Sequence, residues 1–395
     1  MTSLRESLRR FFAPPDPLKP GIYHYQSPAE DPLNYRYHLR LEPDGNGLLI
    51  INASTVLHLN QSAAEYAYHL VKDTPPDEAG STVAGRYRIS ASKAITDYVA
   101  FKEQVEALLT TIDLDPVTYF GFDRVTPYTE EISAPYRLDC ALTYQLPDQA
   151  DAAAAPKDRV ERDLTTDEWK AIIDKAWLAG IPHLVFTGGE PTMRPDLAEL
   201  IEHAERNGQV TGLLTDGVKL SDTTYLNELL QAGLDHAMIV LQPDDNQSWE
   251  ALAGFSYWAE VLKDDIFVAA HLTLTKENAP RSHQLLEKLL QAGVSAVSLS
   301  AKDPELNDEL QDARSHADDL DLELIWDLPV PYSNLNPVAR ELEMGESQPA
   351  DPAYQLGWLY VEPDGDVLLS QGIDKPLGNL LNNDWADVWE KARQA

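Results

Sequence analysis

Two short runs hold the residues whose types and spacing suit ligand chemistry. In the first, His183 to Phe186 is an apolar, strand-like run that leads through Thr187 into Gly188, Gly189, Glu190 and Pro191. A sequence rich in Leu, Ala and Glu follows from Pro195, so the run reads as strand, loop and helix. Two adjacent glycines permit a tight turn whose backbone N–H groups can face a ligand, and Glu190 sets a carboxylate at the same mouth. The second run, Gly212 to Gly217, is again a strand entering a turn and ends in Thr215, Asp216 and Gly217. No Ser/His/Asp order, phosphate loop or two-histidine metal spacing is present.

The elements that must position these residues alternate regularly. Strand-like stretches at 136–144, 181–187, 210–214, 236–241, 267–274, 296–300 and 322–326 are separated by helical patterns. Those helices fall at 165–180, 195–206, 221–232, 249–262, 279–292 and 304–320, the first opening on a capping box formed by Thr165 and Glu168. Such alternation predicts a parallel-stranded α/β barrel, probed at its C-terminal strand ends for chemistry. The polar residues there are Thr187 and Glu190, Thr215 and Asp216, Gln242 and Asp244, Thr273 and Thr275, Ser298, Ser300 and Lys302, and Asp327. They are expected to converge on one mouth.

The run Phe186-Thr187-Gly188-Gly189-Glu190-Pro191 resembles the Gly-Gly-Glu-Pro motif of radical S-adenosylmethionine (SAM) enzymes, which in that family binds the methionine amino group of SAM. Gly212 to Gly217 resembles the third strand of the same family, with Asp216 standing where Asn is usual. The resemblance covers residues 136–395 and implies a partial (β/α) barrel of the TIM type. It also implies Gly188, Gly189, Glu190, Pro191, Thr215 and Asp216 as residues that would hold SAM.

One feature departs from that family. Its members hold a four-iron cluster on a C-x3-C-x2-C loop after the first barrel strand, whereas this chain has a single cysteine, Cys140. Cys140 falls inside the first strand and reads as a small buried apolar residue. The following loop, Leu146 to Pro156, is small and acidic; it reads as an irregular, metal-free lid. No iron–sulfur cluster and no disulfide are expected.

Residues 1–130 read as a separate small α+β domain. A short amphipathic arm ends at Phe11-Phe12, a hairpin spans Tyr35 to Asn52 around Asp44-Gly45-Asn46-Gly47, and Val56 to Asn60 forms a further strand. Helices are expected from Ser62 and from Ser92. The stretch Leu49 to Asn60, followed by Ala63-Ala64-Glu65, resembles the winged, PqqD-like domain that recognises leader peptides by strand addition. A winged cap that only packs on the barrel fits the same residues equally well.

At the other end, residues 331–395 carry a hairpin from Trp358 to Leu369 and a short helix at Trp385 to Trp389. They resemble the SPASM or twitch extension of radical SAM enzymes, with Ser370-Gln371 where Pro-Cys would stand. The expected organisation is thus 1–130, 134–330 and 331–395.

Composition narrows the partners. Lys and Arg total 31 against 65 Asp and Glu, giving a net charge of −34 across 395 residues. Such a polyanion is repelled by nucleic-acid phosphates and anionic lipid and suits a basic peptide or a partner protein with a basic surface. No apolar run approaches the about 20 residues that span a bilayer, and the charged N-terminal sequence is unlike a signal peptide, so a cytoplasmic location is expected. Three readings follow: a cluster-free radical SAM homologue, pseudoenzyme or repurposed binding protein that holds SAM weakly or a peptide; an enzyme of another class using mouth carboxylates with Lys302; and a non-catalytic peptide carrier or scaffold beside an active enzyme.

Overall fold

The computed structural model describes residues 15–28, 31–111, 132–148, 150, 155–262, 266–325, 328–332 and 356–395, and the side chains of 255–262 are not described. The arm at Phe11-Phe12, Trp326, Asp327 and part of the loop from Leu146 to Pro156 lie outside these residues. The chain divides into two compact units, Met1–Thr126 and Pro127–Ala395.

In the first unit, β1 (Gly21–Gln26), β2 (Arg36–Leu41), β3 (Gly47–Ile51) and β4 (Thr55–Leu59) form an antiparallel sheet in sequence order. Helices α1 (Gln61–Val71), α2 (Pro76–Tyr87) and α3 (Ala91–Thr110) follow. Asn60 caps α1 by accepting the Ala63 N–H at 3.0 Å, and Ser90 caps α3 through the Lys93 N–H. Leu39, Leu49, Ile51 and Leu57 from the sheet bury against Ala64, Ala67, Tyr98 and Val105. Two elements go beyond the sequence reading. Strand β1 precedes the expected hairpin, and α2 forms although its Gly80, Gly85, Ser81 and Thr82 are weak helix formers. Pro76 at its first position and burial of Ala79 and Val83 compensate.

The second unit is built on one ten-stranded sheet ordered β11-β10-β9-β8-β7-β6-β5-β12-β13-β14. Strands β5 (Arg137–Thr143), β6 (His183–Gly188), β7 (Val210–Thr215), β8 (His236–Val240), β9 (Phe267–Leu274), β10 (Ala296–Ala301) and β11 (Glu323–Leu324) are parallel neighbours. The connecting helices are α4 (Thr166–Leu178), α5 (Leu197–Asn207), α6 (Thr223–Gln231), α7 (Asn246–Leu262), α8 (Ser282–Gln291) and α9 (Asn307–Asp319). This is the partial (β/α) barrel that the alternation implied. The Thr165–Glu168 capping box is present at α4, and α4 buries Trp169, Ile172, Ile173 and Ala176.

The C-terminal hairpin is continuous with that sheet. Strand β12 (Trp358–Val361) lies parallel to β5, pairing Tyr360 with Asp139, while β13 (Asp366–Leu368) and β14 (Gly378–Asn379) add antiparallel. Helix α10 (Trp385–Gln394) closes the chain. Strand β12 thus extends the barrel sheet through main-chain pairing with its first strand.

Candidate functional site

The loop after β6 and the end of β7 meet at Glu190. Its side chain is 3% exposed, and its two oxygens accept four hydrogen bonds. Oε1 accepts from the Thr192 N–H at 3.0 Å, the Thr192 hydroxyl at 2.6 Å and the Thr215 hydroxyl at 2.7 Å, and Oε2 accepts from the Asp216 N–H at 2.8 Å. Thr215 in turn accepts the Gly217 N–H at 3.1 Å, and Asp216 accepts the Val218 N–H at 2.9 Å. Burial and then the neighbouring Asp216 carboxylate push the Glu190 carboxyl above its usual range, against the pull of its donors. Burial likewise raises Asp216.

Pro191 begins a single 3-10 turn, Pro191–Met193, that sets Thr192 over Glu190. Lys219 fixes the turn from the other side, donating to the Thr192 carbonyl at 2.6 Å. Arg194 grips Asp196 through two bonds and also reaches the carbonyls of Leu142 and Leu164, tying the loop to the end of β5 and the start of α4.

The glycine pair lies against the chain leaving β5. The Gly189 N–H donates to the Thr143 carbonyl at 2.7 Å and the Glu190 N–H to the Gln145 carbonyl at 2.8 Å. These two N–H groups are therefore taken by the chain leaving β5. A Cβ on Gly188, whose φ is +130°, would stand 2.1 Å from the Thr143 oxygen, and one on Gly189 would stand 2.2 Å from the Gln145 oxygen. The glycines let two strand ends close on each other.

The polar strand-end residues gather in two hydrogen-bonded groups, on β6–β7 and on β9–β10, with β8 between them. In the second group His271, fully buried, shares Nδ1 with the Ser298 hydroxyl and Nε2 with the hydroxyls of Thr273 and Ser300, all at 3.0 Å. Burial lowers this imidazole to about 3. Asp244 turns outward to Arg281, and Thr275 and Gln242 bond within their own turns. His271 escaped the sequence reading because it lies inside β9, and only the register with β10 brings the hydroxyls to it.

Beyond β5 the described chain packs into a small apolar cluster. Ala155 and Tyr144 bury with Ala141, Tyr360 and Leu368, with Leu146 and Val160 against them. Tyr144 donates to Glu362 at 2.9 Å, and Arg159 pairs with the same carboxylate at 2.5 Å and with Asp374 at 2.9 Å. Cys140 is 1% exposed in mid-strand, and burial raises its thiol far above the thiolate range. The sequence holds one cysteine, and among the described residues no three His, Cys, Asp or Glu side chains surround a common point. This donor set does not fit a four-iron cluster held by several thiolates of one chain.

Fold and site together define a parallel-stranded partial (β/α) barrel with buried polar groups at its strand ends. Residues 140–264 match the family model described as the radical SAM superfamily. Among solved structures it is similar to SuiB of Streptococcus suis at 15% identity and a TM-score of 0.57, covering 92% of this chain and 88% of that one. It is similar to SuiB bound to S-adenosylmethionine at 15% identity and a TM-score of 0.58, with the same coverage. SuiB bound to its precursor peptide SuiA matches at 14% identity and a TM-score of 0.58, over 93% and 88% of the two chains. At these identities the likeness concerns the fold. No helix among the described residues is long and apolar enough to cross a membrane.

Proposed function

We propose that this chain is a cluster-free radical SAM homologue, a pseudoenzyme or repurposed binding protein that takes SAM weakly or a peptide in a peptide-modification system. The observation that carries this reading is the pairing of an intact Glu190–Thr215–Asp216 group with a single, buried Cys140. Two carboxyls at adjacent strand ends suit a ligand with a cationic amino or sulfonium group, through charge-assisted hydrogen bonds. Glu190, Thr215 and Asp216 would hold that end, with Gly188, Gly189 and Pro191 shaping the loop. In the resembled family the cluster supplies the electron that cleaves SAM, and without its thiolates this chain would bind without cleaving.

Peptide binding is supported from two sides. SuiB is a structural neighbour that has been seen with a precursor peptide, and the first unit has partly exposed β1 and β4 as the edge strands of its four-stranded sheet. Main-chain pairing at such an edge would take a leader peptide, and the charge of −34 favours a basic one. The domains would then divide the work as 1–130 for recognition and 134–330 with 331–395 for ligand binding.

Anaerobic reconstitution with iron and sulfide, followed by metal analysis and calorimetry with SAM and S-adenosylhomocysteine, tests the reading. We expect no stoichiometric iron and a weak binding heat that falls on Glu190→Ala. About four irons per chain would sink the cluster-free assignment. No heat at millimolar ligand from folded protein would leave the Glu190 group as architecture alone.

A further inference from the structure

On the reading above, in which this end of the barrel binds SAM, we propose that Asp216, and not Glu190, takes the cationic amino group of the ligand, with Glu190 as the positioning residue behind it. This departs from the role that the Gly-Gly-Glu-Pro resemblance implies for Glu190. A carboxylate offers about four acceptor positions, and Glu190 is buried and already accepts four bonds from Thr192, Thr215 and Asp216. Its main-chain carbonyl takes the Met193 N–H. The Thr215 hydroxyl is spent as well, donating to Glu190 and accepting from Gly217.

Asp216 is different. Its Oδ1 accepts the Val218 N–H at 2.9 Å, whereas Oδ2 has no partner among the described residues, and the residue is partly exposed. The charge of Lys219 reaches it, but the Lys219 ammonium is used on the Thr192 carbonyl. Glu190 and Asp216 therefore stand in each other's field with no cation paired to either among the described residues, and Asp245 adds a further negative charge. Like charges drawn partly out of water are costly, and an incoming ammonium relieves both. Asp216 stands where the resembled family has Asn, and an amide has no charge to offer that ammonium.

A donor close by is also unspent. The hydroxyl of Tyr225, on α6, is buried without a hydrogen-bond partner. It lies within the field of Glu190, and its ring centroid is 5.8 Å from Lys219 Nζ. Buried polar groups are normally satisfied. The end of β7 thus has one acceptor and one donor to offer, which suits a ligand group that carries both an ammonium and a carboxylate.

The test is calorimetry of the full chain with SAM, S-adenosylhomocysteine and methylthioadenosine, which keeps the adenosyl thioether and lacks the amino group. Asp216→Asn retains the N–H that Glu190 accepts and an oxygen for the Val218 N–H, so its Tm should equal or exceed the native value, one of two like charges being gone. We expect this variant to lose SAM and S-adenosylhomocysteine by about tenfold or more and to bind methylthioadenosine as the native chain does. Glu190→Gln should weaken SAM on its own and add nothing in the Asp216→Asn background, because it acts through that residue. SAM bound equally by the native chain and by folded Asp216→Asn would overturn the assignment and leave the SAM site standing. An equal loss of methylthioadenosine, or additive losses in the double variant, would overturn it too. No SAM bound by the native chain would overturn both the assignment and the reading beneath it.

Discussion

The hydroxyl of Thr215 donates to Oε1 of Glu190 at 2.7 Å, and that bond joins the loop after β6 to the end of β7. With the Asp216 N–H on Oε2 and both donors of Thr192 on Oε1, the carboxylate is an acceptor hub. An amide cannot replace it, since an NH2 group in the place of either oxygen would face a donor. Glu190→Gln should therefore destabilise the second unit by about 1 to 3 kcal/mol, read as a lower urea midpoint with an unchanged slope. A midpoint equal to that of the native protein would show that these bonds contribute nothing net.

Alanine at Gly188 or Gly189 should cost about 2 to 4 kcal/mol, from overpacking and, at Gly188, a strained φ. Each added Cβ would press on a backbone oxygen of the chain leaving β5, which cannot swing aside as a side chain could. Thermal unfolding checks this without any ligand. Alanine variants as stable as the native chain, yet impaired in SAM binding, would instead return the glycines to the role of a ligand-facing turn.

The barrel was legible because its signals are local. Short apolar strand runs, the Thr165–Glu168 capping box and the Gly-Gly-Glu-Pro loop each reside within a few neighbouring residues. The Glu190–Thr215–Asp216 group was legible for the same reason, as two motifs one helix apart. What escaped depends on contacts distant in sequence. Tyr144 meets Glu362 across 218 residues, and His271 finds its hydroxyls 27 and 29 residues on, through parallel register. Helix α2 escaped because its propensity is poor and its burial, against α3, supplies the stability.

Acid should weaken the second unit through His271. Its folded-state value is about 3, below the about 6.5 of an unfolded imidazole. Between those values the unfolded chain binds a proton that the folded one refuses, so this contribution is complete above about pH 6.5 and is lost as pH falls toward 3. His183, held well below its usual value by burial, His236 and Arg137, acts in the same direction. Unfolding midpoints of the native protein and of His271→Gln, compared across this window, should converge as pH drops. A constant gap would show that His271 is not held neutral by the fold.

Cys140 gives the sharpest check on the proposed cluster-free reading. The side chain sits in β5 between Asp139 and Ala141, both buried, and pairs in register with Phe186 of β6 and Val361 of β12. Burial raises its thiol, with the Asp139 charge adding to the effect, and only a thiolate attacks an alkylating reagent or binds iron. Iodoacetamide should therefore leave the native protein unmodified and react at the rate at which the second unit opens, speeding up in urea along with unfolding. Mass spectrometry of timed samples reads this directly. Fast labelling of the folded chain at neutral pH would mean that Cys140 is an accessible thiolate, and the donor set at the end of β5 would then have to be reconsidered.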